Sequence, residues 1–355
     1  MKMKTPSKIT YGNFQDPIGL VIRMLRSGRT AAYNALIREF LSLLVRPIDK
    51  LLKLKEQKLL LNDQDSKAFP VILVVGPPRS GSTFIYQALA SALPVTYLNN
   101  FGALFSDAPL VASKVFQNVL AKSSPSLRSY YGNTEKITDP NDGFNISDRR
   151  LGNDRYTPQQ NIPQDLKEDM NSFFNAWTTT FKKPFINKNN RNTTCASMLA
   201  SSLENAYVIM IKRDPIFVAQ SLLLAREEIQ GDRNIGWGLG CNHISTYHQS
   251  DSALHHVAEQ VAWIYAALDQ QAHAIPSDRL ITIDYESFCH DPNPTILNIY
   301  NRIWKTVPGP SRLPKSLKSF KASQSIRLSK DEFDQLQGLI QHYFAEYDVE
   351  ATLAA

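Results

Sequence analysis

Over residues 31–61 the apolar positions fall at Leu36, Ile37, Phe40, Leu41, Leu44, Val45, Ile48, Leu51 and Leu52. That three-and-four spacing predicts an amphipathic helix, broken or kinked at Pro47. Its polar side is mostly basic, with Arg38, Arg46, Lys50, Lys53, Lys55 and Lys58. Two readings stay open for it: a helix docked on the core, or a peripheral contact with anionic lipid. The polar run "LNDQDSKAF" then reads as a linker, so that residues 1–66 form an N-terminal helical extension and 67–355 the main domain.

Beyond the linker the period changes. Short continuous apolar runs occur at 71–75 ("VILVV"), 184–187 ("PFIN"), 207–211 ("YVIMI") and 280–284 ("LITID"). Runs that are apolar at every position suit strands buried on both faces of a parallel sheet. Helical patterns over 84–93, 196–203 and 253–272 lie between them and supply crossovers. The expectation is an α/β chain, a doubly wound parallel sheet of P-loop-like plan flanked by helices. The stretches 123–165 and 227–252, rich in Gly, Asn, Asp, Ser and Pro without a period, are candidate lids or acceptor loops.

With 355 residues, 43% of them hydrophobic, the chain can bury a large core. A net charge of +6 suits an anionic partner, which on charge alone is nucleic acid, a membrane surface or a polyanionic nucleotide. The bases are scattered and the aromatic signature of a single-strand RNA reader is missing, so no nucleic-acid partner is expected. Cys195, Cys241 and Cys289 are far apart and odd in number, which argues against a disulfide framework and for a reducing, cytoplasmic compartment. No apolar run is long enough to span a bilayer, no leader is evident, and the histidine spacing fits no zinc signature, so no metal is expected.

Three polar clusters follow the first three predicted strands, at the edge where open parallel sheets bind ligands. The first, "GPPRSGST", has the glycine spacing of a phosphate loop, with Gly76, Gly81 and Thr83 in place. Ser82 stands where ATP- and GTP-binding loops carry lysine, and Arg79 sits inside the loop, so the electrostatics differ. "NKNNRN" (187–192) follows the second strand and "KRDP" (212–215) the third. Asp214 and Pro215 are a natural Ncap and N1 pair, and a helix begun there carries Ser221 about two turns on, facing the same way as its start. Arg213 and Ser221 could then grip one phosphate.

"PPRSGSTF" followed by "VIMIKRDPIFVAQSLL" resembles the two nucleotide signatures of the sulfotransferase family, which uses 3′-phosphoadenosine 5′-phosphosulfate (PAPS). "ITIDYESFCHDPNPTILNIYNRIW" is similar to that family's next strand and helix, so the resemblance spans roughly residues 69–305 in ordered pieces. It implies that Pro78, Arg79, Ser80, Gly81, Ser82, Thr83 and Phe84 surround the 5′-phosphosulfate at a helix N-terminus. Arg213 and Ser221 would hold the 3′-phosphate, Tyr285 would lie near the adenine, and Arg327 belongs to a C-terminal segment closing over the nucleotide. It further implies that Arg79 and Lys188 stabilise the leaving phosphate oxygen during transfer to an acceptor hydroxyl.

The general base departs from the family's patterns. Cytosolic relatives place a His two residues after the lysine, where this chain has Asn190; Golgi relatives place a Glu in the region that here reads "YLNNF". The chain is more similar to bacterial, polysaccharide-associated members, in which a Glu falls where Asp142 stands. Asp142 is the first candidate base, with Asp107 and His243 behind it. The acceptor implied by that kinship is a saccharide or glycolipid. A different class also stays open, a nucleotide-binding protein that has lost its base and no longer transfers.

Overall fold

The computed structural model describes residues 14–61, 69–120, 125–152, 161–241, 252–307 and 312–349. Helices α1 (Pro17–Arg26) and α2 (Thr30–Leu61) precede strand β1 (Val71–Val75), α3 (Ser82–Ala92) and α4 (Pro109–Leu120). A two-residue hairpin pair, β2 (Ser129–Tyr130) and β3 (Asn133–Thr134), leads to α5 (Phe144–Leu151), α6 (Gln164–Phe181) and β4 (Phe185–Lys188). Then come α7 (Ala196–Ser202), β5 (Ala206–Lys212), α8 (Pro215–Gln230), α9 (Ala253–Ala274) and β6 (Leu280–Asp284). The described chain finishes with α10 (Tyr285–His290), α11 (Pro292–Ile303) and α12 (Lys330–Glu346).

The expected parallel sheet is present, in the order β4-β1-β5-β6. Val71 of β1 pairs with Phe185 on one side and Ala206 on the other, so the strand order reverses at β1. A crevice therefore opens outside its carboxyl end, where binding sites of such sheets lie. The pleat sends Ile72 and Val74 toward Ile85 and Leu89 of α3, and Val71 and Leu73 toward Trp177 of α6. Every residue of β1 is buried as the continuous apolar run requires. β6 departs from that expectation: Thr282 and Asp284 are exposed, because this strand is the sheet edge and has one uncovered face.

The helix expected over 31–61 forms as one element, unbroken at Pro47. Packing on both sides of the proline holds it: Leu41 and Val45 before it and Leu52 after it lie against Leu104, Phe105 and Ala112. Two carboxylates of α2 fix it further by capping a different helix. Asp49 accepts from the amides of Asp107 (2.9 Å) and Ala108 (3.0 Å), and Glu56 from those of Leu110 (3.1 Å) and Val111 (2.8 Å). These amides, at and just before the start of α4, have no partner within the helix and are met by carboxyl oxygens at the positive end of its dipole. α1 does the converse for α8: Arg23 donates to the carbonyls of Glu228 (2.8 Å) and Ile229 (2.9 Å) at its C-terminus. Among the described residues no helix is long and apolar enough to cross a membrane.

Asp49→Ala or Glu56→Ala strands two amides each, three of the four buried, and is expected to cost about 1–2 kcal/mol, read as a fall in melting temperature. Burial pushes the Glu56 carboxyl up to about 7 from its ordinary 4.5, outweighing the pull of the two amides. Its folded value lies above the unfolded one, so the folded state holds a proton the unfolded chain releases, and stability from this group falls as pH rises through that window. The melting temperature of the wild type relative to Glu56→Gln is expected to drop between about pH 5 and pH 8. Parallel curves would mean that Glu56 titrates as it does in the unfolded chain.

Candidate active site

The loop between β1 and α3 owes its shape to two left-handed residues. Gly81 has φ 84°, and a Cβ there would overlap the Tyr285 ring, so glycine is required on both counts. Arg79 adopts φ 70° although it bears a side chain, a strained conformation of the kind found at ligand clamps. α3 begins at Ser82 with no side-chain cap, which leaves the amides of its first turn aimed at the crevice. Ser80 donates its amide to the Pro77 carbonyl at 3.1 Å, and its buried hydroxyl finds no partner among the described residues. Pro78 is buried behind the loop, while Thr83 and Phe84 are half-buried on the first turn. Phe84 meets Phe320 and Tyr285 edge-on, at 4.8 and 6.4 Å between centroids.

β5 and α8 bring the second cluster to the same place. Asp214 caps α8 by accepting from the Ile216 amide at 3.1 Å, with Pro215 at the first helical position, as expected. Arg213, only 7% exposed, donates to the Arg79 carbonyl at 2.7 Å and to the Ser323 carbonyl, and its guanidinium lies 4.7 Å from the Tyr285 ring centre. Its Nε faces Glu286 at 3.9 Å, too far for a hydrogen bond. Arg79 in turn donates from Nε to Ser221 Oγ at 3.0 Å. Burial lowers the Arg79 guanidinium to about 10, so it stays protonated at neutral pH. Arg327 stands on an extended strap that crosses above: its amide donates to Gln220 Oε1 at 2.7 Å, and its exposed side chain adds to the positive field at Arg79. Arg79, Arg213, Ser221 and Tyr285, far apart in sequence, thus form one group, with Arg327 at its rim.

Lys188 and Asp142, expected separately, form an ion pair at 2.8 Å, with the Lys188 side chain 2% exposed. The loop carrying Asp142 is pinned from several sides. The Asn141 amide donates to the Leu98 carbonyl (2.8 Å), the Asn141 side chain to Asn100 Oδ1 (2.8 Å), and Asn187 to the Asp142 carbonyl (3.1 Å). Asn190 accepts from Ser82 Oγ at 3.4 Å, and Thr193 Oγ1 both accepts from the Gly76 amide (3.1 Å) and donates to its carbonyl (2.9 Å). The segment after β4 therefore buttresses the anion loop. Other cations of the predicted clusters serve structure: Arg191 pairs with the buried Asp148, and Lys212 with Asp269. Asp107, the second candidate base, is bound to Arg149 (3.2 Å) and Lys53 (3.9 Å) among the packed helices. His243 lies outside the described residues.

One residue the sequence reading passed over joins the two halves. Tyr131 and Gly132, at φ 45° and 93°, make the two-residue left-handed turn between β2 and β3. The turn sets the Tyr131 ring 4.7 Å from the Arg79 guanidinium. On its other side opens a cleft of about 380 Å³ whose walls include Tyr131, Asn100, Asp142, Gly143, Arg38 and Arg46. The cleft and the anion loop are thus neighbours, with a buried Lys–Asp pair between them. The glycine after "SYY" was the available signal, but strands of two residues have no readable period.

A family model described as the sulfotransferase family matches residues 70–304. Among solved structures, sulfotransferase STF9 from Mycobacterium avium is similar, with a TM-score of 0.52 at 15% identity over 93% of this chain and 90% of the other. Sulfotransferase STF1 from Mycobacterium tuberculosis H37Rv gives a TM-score of 0.49 at 13% identity, over 93% and 91%. The first of these is a likeness of fold. No curated protein matches.

Gly81→Ala is expected to destabilise the protein by about 1–3 kcal/mol through the clash with Tyr285 and the left-handed φ. Adding Tyr285→Ala should make the pair less destabilising than the sum of the single changes, since the clash is gone and only the backbone strain persists. Strict additivity in denaturant melts would place the cost elsewhere.

Proposed function

The chain belongs to the sulfotransferase family, and on that premise we propose that it transfers a sulfuryl group from PAPS to a hydroxyl of an acceptor, a saccharide or glycolipid. The observation that carries the reading is the convergence of Arg79, Arg213 and Ser221 beside a phosphate loop that lacks the lysine of nucleoside triphosphate sites. A loop of this kind suits a nucleotide with no β- or γ-phosphate to reach and with a second phosphate elsewhere. The residues present fit such a group: α3 has no side-chain cap at its N-terminus and, among the described residues, the buried Ser80 hydroxyl and Arg213 Nε find no hydrogen-bond partner.

On this reading the first amides of α3 and Arg79 hold the phosphosulfate end, while Arg213 and Ser221 hold the 3′-phosphate. Tyr285 and Phe84 supply aromatic surface for the base, and Arg327 neutralises charge from the strap side. When bound, PAPS supplies a sulfuryl group on a phosphate leaving group. Asp142, at the cleft wall, takes the proton of the acceptor hydroxyl, and Lys188 holds that carboxylate in place through the 2.8 Å ion pair. Arg79 and the α3 amides stabilise negative charge at the loop. The acceptor enters from the cleft, whose polar wall of Asn, Ser, Arg and Glu side chains suits hydroxyl-rich groups.

Calorimetry with adenosine 3′,5′-bisphosphate beside Mg-ATP tests the donor. The bisphosphate should bind at micromolar level, Mg-ATP far more weakly, and Arg213→Ala should remove about 2–4 kcal/mol of that affinity. Preference for Mg-ATP would sink the reading. In transfer assays with PAPS across saccharide and glycolipid acceptors, Asp142→Asn should lower turnover by about 10²-fold while sparing bisphosphate affinity. Turnover near that of the wild type would clear Asp142 of the role of base.

A further inference from the structure

Twelve of the twenty large apolar side chains exposed among the described residues lie on α1 and α2. On α2, Ile37, Phe40, Leu44, Ile48 and Leu51 recur at steps of three and four, so they form one line along the helix. This line points away from the body: Phe40 is 62% and Leu51 75% exposed, whereas Leu41, Val45 and Leu52 face the core. The amphipathic pattern read from the sequence is therefore two apolar lines, of which the fold covers one. A continuous uncovered apolar line marks an interaction surface.

Charge identifies what covers it. From Phe40 to the end of α2 the only acids are Asp49 and Glu56, and both are buried as caps of α4. The outside of this stretch carries Arg46, Lys50, Lys53, Lys55 and Lys58, all exposed. A second copy of the chain docked about a twofold axis would set the line against itself and bring these five bases together against few acids, the exposed Glu39 and the Asp107 that already pairs with Lys53. An anionic lipid surface has the opposite sign and takes apolar side chains below its headgroups, with lysine stems reaching back to the phosphates.

We infer that the outer face of α2 docks this protein on an anionic lipid surface, lying in the interface without crossing the bilayer. The inference stands on surface chemistry and is independent of the transfer reading. If that reading also holds, it has a consequence: Arg38 and Arg46 of the same helix line the cleft beside Asp142, so docking brings the cleft within about one helix diameter, ~10 Å, of the headgroups. An acceptor hydroxyl carried on a lipid would then be within reach.

Co-sedimentation of the full chain with vesicles of phosphatidylcholine containing about 30% phosphatidylglycerol, beside pure phosphatidylcholine, tests this. Binding is expected to the anionic vesicles, about tenfold weaker to the neutral ones, and to weaken as salt is raised. Phe40→Glu with Leu44→Glu, and separately Lys50→Glu with Lys55→Glu and Lys58→Glu, should each cut anionic-vesicle binding about tenfold or more. Melting curves and bisphosphate binding of these variants should match the wild type, since all five side chains point outward. Wild-type protein that stays in the supernatant, or variants that sediment like it, would overturn the inference. So would a concentration-dependent dimer in ultracentrifugation, abolished by Phe40→Glu, without vesicle binding: the line would then be a subunit interface.

Discussion

The site is organised by an arginine whose backbone is held by another arginine. Arg213 donates to the Arg79 carbonyl, and Arg79 reaches on to Ser221, so two guanidinium groups share a small desolvated volume. The carboxylate nearest Arg213, that of Glu286, stands at 3.9 Å and makes no hydrogen bond to it. Positive charge concentrated this way opposes folding unless an anion offsets it, and natural proteins retain such local conflict chiefly where function requires it. The left-handed backbone at Arg79, the glycine at 81 that admits the Tyr285 ring, and the buttress from Thr193 to Gly76 all keep this arrangement in place.

Much of this was legible in the sequence because it is local. Continuous apolar runs located all four strands of the sheet, and the Asp214-Pro215 pair located the start of α8 and hence the height of Ser221. What was not legible depends on partners far along the chain. Nothing near Asp49 and Glu56 in the sequence marks them as caps, because the start of α4 that lies against them is more than fifty residues on. Asp142 and Lys188 are separated by 46 positions and could be nominated only one at a time; their pairing is a property of the crossover, not of either segment. Tyr131 escaped because its hairpin is too short to carry a period.

Two asparagines stand where the family resemblance leads one to expect a catalytic base, and both make structural hydrogen bonds. Asn190, where relatives of this family carry a His, holds Ser82 of the anion loop, and Asn100, in the region where others carry a Glu, holds Asn141 next to Asp142. Both serve as scaffolding here, since an amide offers a donor and an acceptor at once but no titratable proton near neutrality. The loop that Asn100 ties down carries the Asp142 carboxylate that pairs with Lys188.

The two caps on α4 have an effect reaching beyond the helix they stabilise. Along the sequence of α2 from Phe40 onward, two acids offset two of five bases, and an unfolded chain would show the two signs intermixed. Folding draws both acids inward and leaves every base outside, so tertiary structure sorts the charges as well as the apolar groups. The cationic edge is therefore conditional: were α4 to lift from α2, Asp49 and Glu56 would return to the surface and the edge would lose much of its sign without any change in composition.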